Sequence, residues 1–223
     1  MTLDNRIDDA RALIREALSQ PLGRACVTCS FQAECIVVVD LVVADQPDIP
    51  VLFLETGYHF PDTYAYRDQM TERLRLNLIN LSSKLTVAEQ ESRFGILYRS
   101  APDRCCAMRK VEPLFRGLEE YAVWFTALRR EQSPTRANLQ TLDHFKLPTG
   151  KQVLKVNPLA AWSNAEVWGY LKRRGIPVLS LYDNGYTSIG CAPCTTPPAD
   201  PDNLRSGRWG GRKLECGIHI ASD

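Results

Sequence analysis

Between Asp4 and Leu18 the apolar positions Ile7, Ala10, Leu13, Ile14 and Leu18 recur at helical spacing, which predicts a helix with one buried stripe. Arg24 to Phe31 reads as a strand running into Ser30-Phe31-Gln32-Ala33-Glu34, and Ile36 to Ala44 as a buried helix. Val51-Leu52-Phe53-Leu54 is a short apolar strand stopped by Glu55-Thr56-Gly57. Pro61 to Leu74 reads as a helix, Leu76 to Leu81 as a strand, and Thr86 and Glu89 stand at capping-box spacing at the start of another helix. The Cys105 segment is helical in pattern, and Pro113 should kink or restart it. Tyr121 to Leu128 and Val153 to Val156 are further apolar strands. Ser163 and Glu166 form a second capping box, opening a helix to Arg174 that Gly175 ends. Apolar strands alternating with helices predict an α/β fold, a parallel sheet covered by helices on both faces.

From about Thr196 the pattern fails. Pro197, Pro198, Pro201, Gly207, Gly210 and Gly211 punctuate a stretch with few apolar residues, which ends in Glu215-Cys216-Gly217-Ile218-His219. The division expected is an α/β domain over 1–195 and a flexible C-terminal segment over 196–223 that delivers a cysteine and a histidine to a site built elsewhere.

Composition narrows the class. The 223 residues are 44% hydrophobic, enough for a real core, and the net charge of +1 gives no general affinity for nucleic acid or anionic membrane. The N-terminus carries acids where a signal peptide has bases, and the longest apolar run, Ile36 to Ala44, is too short to span a bilayer. A soluble, cytoplasmic protein is expected. Eight cysteines in such a compartment point to metal or redox chemistry rather than to structural disulfides.

Four of them form two pairs. Cys105 and Cys106 are adjacent, and Cys191 and Cys194 flank a Cys-x-x-Cys turn. Adjacent cysteines rarely bridge to each other, whereas a Cys-x-x-Cys turn can aim both sulfurs at one centre. Four thiolates from two segments suggest zinc or an iron–sulfur cluster. The adjacent pair argues against zinc, because one small tetrahedral ion needs widely spread ligands, while a cubane offers four separate irons. Cys26 and Cys29 also have the Cys-x-x-Cys spacing, but in a strand they point to opposite faces, so core thiols are expected there. Cys35 is likewise expected to be a small buried residue.

In a parallel sheet, ligands bind beyond the carboxyl ends of the strands. Ser30 to Glu34 lies at such an end and opens a helix, so its backbone N–H groups can meet a phosphate, although an ordinary helix cap reads the same way. No Gly-x-x-x-x-Gly-Lys run occurs, which excludes a Walker-type site. Glu55-Thr56-Gly57 could hold a base or ribose. Arg129, Arg130 and Arg136 follow the Tyr121–Leu128 strand, Arg205 and Arg208 lie in the tail, and Arg109 and Lys110 stand beside the paired cysteines. The sum suggests an anionic ligand with cations on several sides. Cys216 is a candidate nucleophile, since cations favour the thiolate, and His219 is within reach of it across a turn.

Taken in order, Cys105-Cys106 with Arg109-Lys110-Val111-Glu112-Pro113-Leu114, Leu128-Arg129-Arg130-Glu131-Gln132-Ser133, Ile189-Gly190-Cys191-Ala192-Pro193-Cys194-Thr195, Gly207-Arg208-Trp209 and Glu215-Cys216-Gly217-Ile218-His219 resemble the assimilatory adenylyl-sulfate (APS) reductases, the iron–sulfur branch of the PAPS/APS reductase family. The resemblance runs from about residue 24 to residue 219. It implies the Rossmann-like, adenine-nucleotide-binding fold shared with ATP pyrophosphatases, a [4Fe-4S] cluster, and reduction of adenosine 5'-phosphosulfate to sulfite and AMP through an S-sulfocysteine intermediate. The partners it implies are thioredoxin or a glutaredoxin-like reductant, with a homo-oligomer left open and neither nucleic acid nor membrane involved. By resemblance Cys105, Cys106, Cys191 and Cys194 are the cluster ligands. Cys216 is the nucleophile, and Lys110, Arg205, Arg208 and His219 assist it. Ser30, Phe31, Gln32, Leu54, Thr56, Gly57 and Arg136 are the substrate contacts. Cys35 departs from the family's frequent Asp, Gly210-Gly211 from an aromatic run, and Thr187 from a common Pro. Rival readings are a PAPS or dual-substrate reductase, an ATP-pyrophosphatase-like iron–sulfur transferase, and a non-enzymatic iron–sulfur redox sensor.

Overall fold

The computed structural model of the chain describes residues 2–200, 203–213 and 215–219. Pro201 and the residues from Ile220 onward, both inside the segment expected to be flexible, lie outside the described residues. Helix α1 (Leu3–Ser19) starts where the Thr2 hydroxyl accepts a hydrogen bond from Asn5 N at 3.3 Å, and it buries Ala10, Ile14 and Ala17 along one stripe. Strand β1 (Ala25–Thr28) is shorter than the pattern predicts. The cause is Phe31, whose φ of 58° leaves the extended region and turns the chain into helix α2 (Ala33–Asp45). Its ring is fully buried against Phe53, 5.6 Å between centroids, and that packing offsets the cost of the left-handed backbone. Cys26 and Cys29 do face opposite sides of the sheet. The first packs with Leu114 and Trp124, the second in the larger core with α2. Helix α2 is apolar through its middle, Asp40 apart, because the sheet and helices α1 and α8 (Asn164–Arg173) cover it there.

Strand β2 (Pro50–Glu55) leads to helix α3 (Pro61–Leu74), which has Pro61 in its first turn, and then to strand β3 (Asn77–Ser82) at the exposed edge. Helix α4 (Val87–Phe94) has the expected Thr86/Glu89 capping box. After the short α5 (Leu97–Ser100), helix α6 (Pro102–Cys106) continues through a π-helical turn, Ala107–Val111, into α7 (Glu112–Leu118). The expected kink at Pro113 is thus replaced by a widened turn, in which Glu112 N reaches back to Ala107 O. Pro113 lacks an N–H and its ring crowds the carbonyl four residues earlier; a wider turn relieves both without breaking the helix.

Strand β4 (Val123–Phe125) is followed by β5 (Leu142–Lys146) and β6 (Gln152–Val156). The sheet order is β3-β2-β1-β4-β6-β5, parallel throughout except for the β5–β6 pair. Strand β5 went unseen in the pattern because it is an antiparallel edge strand with only Phe145 buried. Helix α8 has the expected Ser163/Glu166 capping box, and Gly175, at φ 59°, follows its end. From β1 the chain winds outward one way to β2 and β3; β4 lies on the other side. The switch point is therefore between β1 and β4, and a crevice opens beyond their carboxyl ends. Among the described residues, no helix is long and apolar enough to cross a membrane.

Candidate active site

The crevice holds a cavity of about 960 Å³. Its floor is the last residue of β1, Thr28, with Cys29 and Ser30 just beyond it, and the end of β2 (Leu52 to Leu54); one wall is the loop from Thr126 to Ala137 after β4, and its roof is Ser188 to Gly190 with the tail residues Arg205, Arg208, Glu215, Cys216 and His219. The tail reaches this position by adding to the Cys191–Cys194 turn. Thr195 bridges Arg208 in antiparallel fashion, Thr196 N donates to Gly207 O at 2.9 Å, and Trp209 is buried.

Glu215 holds the neighbouring cysteine in place. Its carboxylate accepts from Arg136 Nε at 2.9 Å and Nη2 at 2.7 Å and from Thr135 Oγ1 at 3.1 Å, with Arg205 Nη2 at 3.9 Å. Burial alone would raise that carboxyl, but the Arg136 hydrogen bonds outweigh it and hold it below the usual carboxylate range. Cys216 is half-buried and lines the cavity together with Lys110, Arg205 and Arg208. Burial lowers Arg208, and burial with the nearby Arg136 and Arg208 brings Arg205 down to about 10. Crowded, desolvated cations of this kind are relieved when an anion enters. Burial would also lower Lys110, but the thiols of Cys191 and Cys216 outweigh it and raise it.

His219 stacks on Trp124, 5.5 Å between ring centroids at 15°. Burial, with Lys155, Arg136 and Arg205 nearby, drives its pKa well below the ordinary value, so the imidazole is neutral near pH 7. Lys155, which the pattern did not single out, is 3% exposed, has its Nζ 5.3 Å from the Trp124 ring centroid, and is brought down to about 8 by burial. Its place in an apolar strand, Val153 to Val156, hid it.

The nucleotide-side residues divide. Ser30, Gln32, Leu54 and Arg136 line the cavity; Phe31, Thr56 and Gly57 do not. Phe31 is core. Gln32 Oε1 accepts from Ile189 N at 2.8 Å and its Nε2 donates to Ser30 Oγ at 3.0 Å, tying the β1 loop to the roof instead of capping α2. Thr56 and Gly57 serve the cysteine segment: Arg109 donates to Thr56 O, and Cys191 Sγ lies 3.4 Å from Thr56 Oγ1. A Cβ on Gly57 would stand 2.6 Å from Val87 Cγ2. Arg129 is buried and held by Glu34 at 2.8 Å, Glu131 at 3.0 Å and Trp162 O at 3.1 Å, so it anchors the loop. Cys35, expected to be a buried core residue, instead is half-buried, lines the cavity and has its Sγ 3.3 Å from Ser30 Oγ, because the first turn of α2 faces the crevice.

Cys105, Cys106, Cys191 and Cys194 line one second, small cavity together with Tyr58, Tyr98, Lys110 and Trp209. Burial and the neighbouring thiols push Cys105 up to about 11 and raise Cys194 as well; a bound cation would displace the thiol protons and stabilise the thiolates. Among the described residues, no three His, Cys, Asp or Glu side chains are grouped for a single metal ion. Lys110 lines both cavities. Two further residues come to this site that the pattern did not reveal. Buried Gln90 accepts from Arg109 Nη1 at 3.0 Å and reaches Cys105 Sγ at 3.9 Å; Lys213 Nζ lies 2.6 Å from Asp103 Oδ1 and 3.5 Å from Cys106 Sγ.

Comparison with known proteins identifies the family and the fold. The phosphoadenosine phosphosulfate reductase domain matches residues 24–197. An adenosine 5'-phosphosulfate reductase of Geobacillus kaustophilus is 41% identical, over 98% of this chain and 93% of its own. A phosphoadenosine 5'-phosphosulfate reductase of Gloeobacter violaceus is 40% identical, over 93% of this chain and 87% of its own. A crystal structure of the phosphoadenylyl-sulfate reductase of Candida auris superposes with a TM-score of 0.70 at 24% identity, over 87% of this chain and 96% of that one, which shows the same fold. With a doubly covered sheet, a crevice at its switch point and a match spanning most of its length, the chain belongs to the phosphoadenosine phosphosulfate reductase domain family.

Proposed function

We propose that the chain reduces adenosine 5'-phosphosulfate to sulfite and AMP in assimilatory sulfate reduction, with thioredoxin or a glutaredoxin-like dithiol as reductant. The observation that carries this reading is the position of Cys216, in one cavity with Lys110, Arg136, Arg205 and Arg208 and across from the Ser30 loop. The nucleotide lies along the ends of β1 and β2, with Ser30, Gln32 and the Leu54 backbone on it, and the sulfate end points at the tail. The cations offset the repulsion between thiolate and sulfate oxygens. The Cys216 thiolate attacks sulfur, the bond from sulfur to the phosphate oxygen breaks, and AMP leaves with the electron pair. A thiolate of the reductant then attacks Cys216 Sγ, and sulfite leaves with the pair of the S–S bond. The second reductant thiol closes its own disulfide and frees Cys216. Sulfur gains two electrons and the dithiol loses two. His219, neutral and stacked on Trp124, positions the segment and carries no charge to the sulfate.

Cys105, Cys106, Cys191 and Cys194 fit a [4Fe-4S] cluster, which spaces its ligands over several irons and would add a fixed charge beside Lys110. Residues 1–195 act as the binding body and 196–223 as the segment that brings Cys216 in and presents it to the reductant, in the cytoplasm. Relatives of nearly equal identity carry APS and PAPS in their names, so PAPS is the second reading. The test is anaerobic incubation with each nucleotide and reduced thioredoxin, measuring sulfite. Faster turnover of PAPS would reverse the substrate assignment. With APS alone, mass spectrometry should find a gain of about 80 Da on Cys216; an adduct on another cysteine would refute the nucleophile.

A further inference from the structure

Strand β6 carries a lysine where its pattern calls for an apolar residue. Leu154 and Val156 pack in the larger core and Val153 on the other face of the sheet, a face that Lys155 shares with Val153 by the alternation of the strand. In register Lys155 stands beside Trp124 of β4 and Asp143 of β5, and Trp124 stands beside Cys26 of β1. Burying an amine to this depth is costly unless it finds partners. Two partners are rings: Lys155 Nζ lies 5.3 Å from the centroid of Trp124 and 5.2 Å from that of Phe145, within the range of cation–π attraction. Its hydrogen-bond acceptor is the backbone carbonyl of His219, 3.5 Å from Nζ. The same stretch of the tail covers the same ground. Ile218 packs against the apolar cluster of Leu114, Trp124, Phe145 and Val153, and the His219 ring stacks on Trp124. Glu215 and Arg136 hold the tail just before Cys216; this contact lies just after it.

We propose that Lys155 is a positioning residue for the tail: with Trp124 it docks Ile218 and His219, so that Cys216 is held between two anchors, this one and the Glu215–Arg136 pair. A lysine suits the task because its hydrocarbon stem lies along the apolar face while its amine reaches a polar group at the rim. The group it reaches is a backbone carbonyl, so the contact fixes the path of the chain as well as the place of one side chain. Loosening either anchor leaves Cys216 tethered by the other, and releasing both frees it. The bearing of the dock on the reaction rests on Cys216 being the nucleophile; the dock itself does not.

The experiment compares wild type, Lys155→Met, Lys155→Arg, Glu215→Gln and the Lys155→Met/Glu215→Gln double variant as anaerobic, ligand-free holoprotein. Iodoacetamide alkylation of Cys216, and of the core thiol Cys26 beside Trp124, is followed by mass spectrometry at pH 7, where Lys155, brought down to about 8 by burial, is still largely charged. Lys155→Met keeps the stem and removes the charge and the donors. Its Cys216 should be alkylated on the order of fivefold faster, the scale of one net hydrogen bond, with Cys26 as slow as in wild type. Loss of a cation does not favour a thiolate, so a faster reaction reports opening of the tail. Lys155→Arg keeps charge and donors and should stay nearer to wild type than Lys155→Met. The double variant should react faster than either single one. An unchanged Cys216 rate in Lys155→Met, or Lys155→Arg as fast as Lys155→Met, overturns the role. Cys26 alkylation that accelerates together with Cys216 also overturns it, because the effect then belongs to the fold. A double variant no faster than Glu215→Gln overturns the second anchor. An adduct that APS leaves on another cysteine refutes the nucleophile, with the alkylation rates still supporting the dock.

Discussion

Replacing Glu215 by Gln removes one charge and no volume from the contact that seats Cys216. The carboxylate takes two parallel hydrogen bonds from Arg136, at 2.9 and 2.7 Å, and the side chains are 12% and 14% exposed, so the pair is largely shielded from water. A charge-assisted pair of this geometry is worth about 2–3 kcal/mol, and the amide of Gln would also turn donors toward donors. If the tail docks as a unit, its docked-to-free ratio should fall about 30- to 150-fold. The assay is the rate of Cys216 alkylation by iodoacetamide in the anaerobic, ligand-free protein, read on the peptide that begins after Lys213 and taken at the high-pH plateau so that thiolate fraction cancels. Glu215→Gln should alkylate at least about tenfold faster, and Arg136→Met should do the same; the double variant should gain no more than either, because both break one contact. A Glu215→Gln rate within about twofold of wild type would show that this ion pair does not seat the tail. The pH dependence has a definite sign. Glu215 is held below its unfolded pKa of about 4.3, so the latch is complete above that pH and is lost as pH falls through the lower folded value. Acid, not base, should open the tail through this group.

Gly190→Ala should separate binding from folding. An added Cβ would lie 2.1 Å from Arg208 Nη2, forcing that guanidinium off Ser188 Oγ and Ile189 O. KM for the nucleotide should rise by about tenfold or more with the melting temperature little changed, and an unaltered KM would refute an anion-binding role for Arg208 at this position. Cys105→Ser should abolish the iron and acid-labile sulfide expected at about four each per chain, whereas Cys26→Ser, on the opposite segment, should retain both. Stoichiometric zinc without sulfide in the wild type would count against the cluster.

Local sequence chemistry was sufficient for what local physics governs. Period and capping boxes placed α1, α4 and α8 to within a residue or two at most ends, and continuous apolar runs marked the buried strands and α2, because burial on two faces leaves a signal in every residue. The paired cysteines and the Cys216 segment stood out by residue type and spacing, although Cys26 and Cys29, at the same Cys-x-x-Cys spacing, pack in the core. Other features depend on neighbours distant in the chain. Strand β5 exists because β6 pairs with it, and one buried Phe in five residues is too weak a pattern to announce that. The π turn before Pro113 is a compromise between a missing N–H and the packing of α6 and α7, which no local propensity records. The arginines after β4 read alike, yet Arg129 is buried by Glu34 and Trp162 as an anchor and Arg136 meets Glu215 from the other end of the chain. Thr56 and Gly57 were drawn to the cysteine segment by Arg109, Lys155 was hidden inside an apolar strand, and Cys35 faces Ser30 because the chain turns at Phe31 beyond the end of β1. Residue type limits what chemistry a side chain can perform; which partner desolvates or charges it is decided only when the sheet and the tail bring distant segments together.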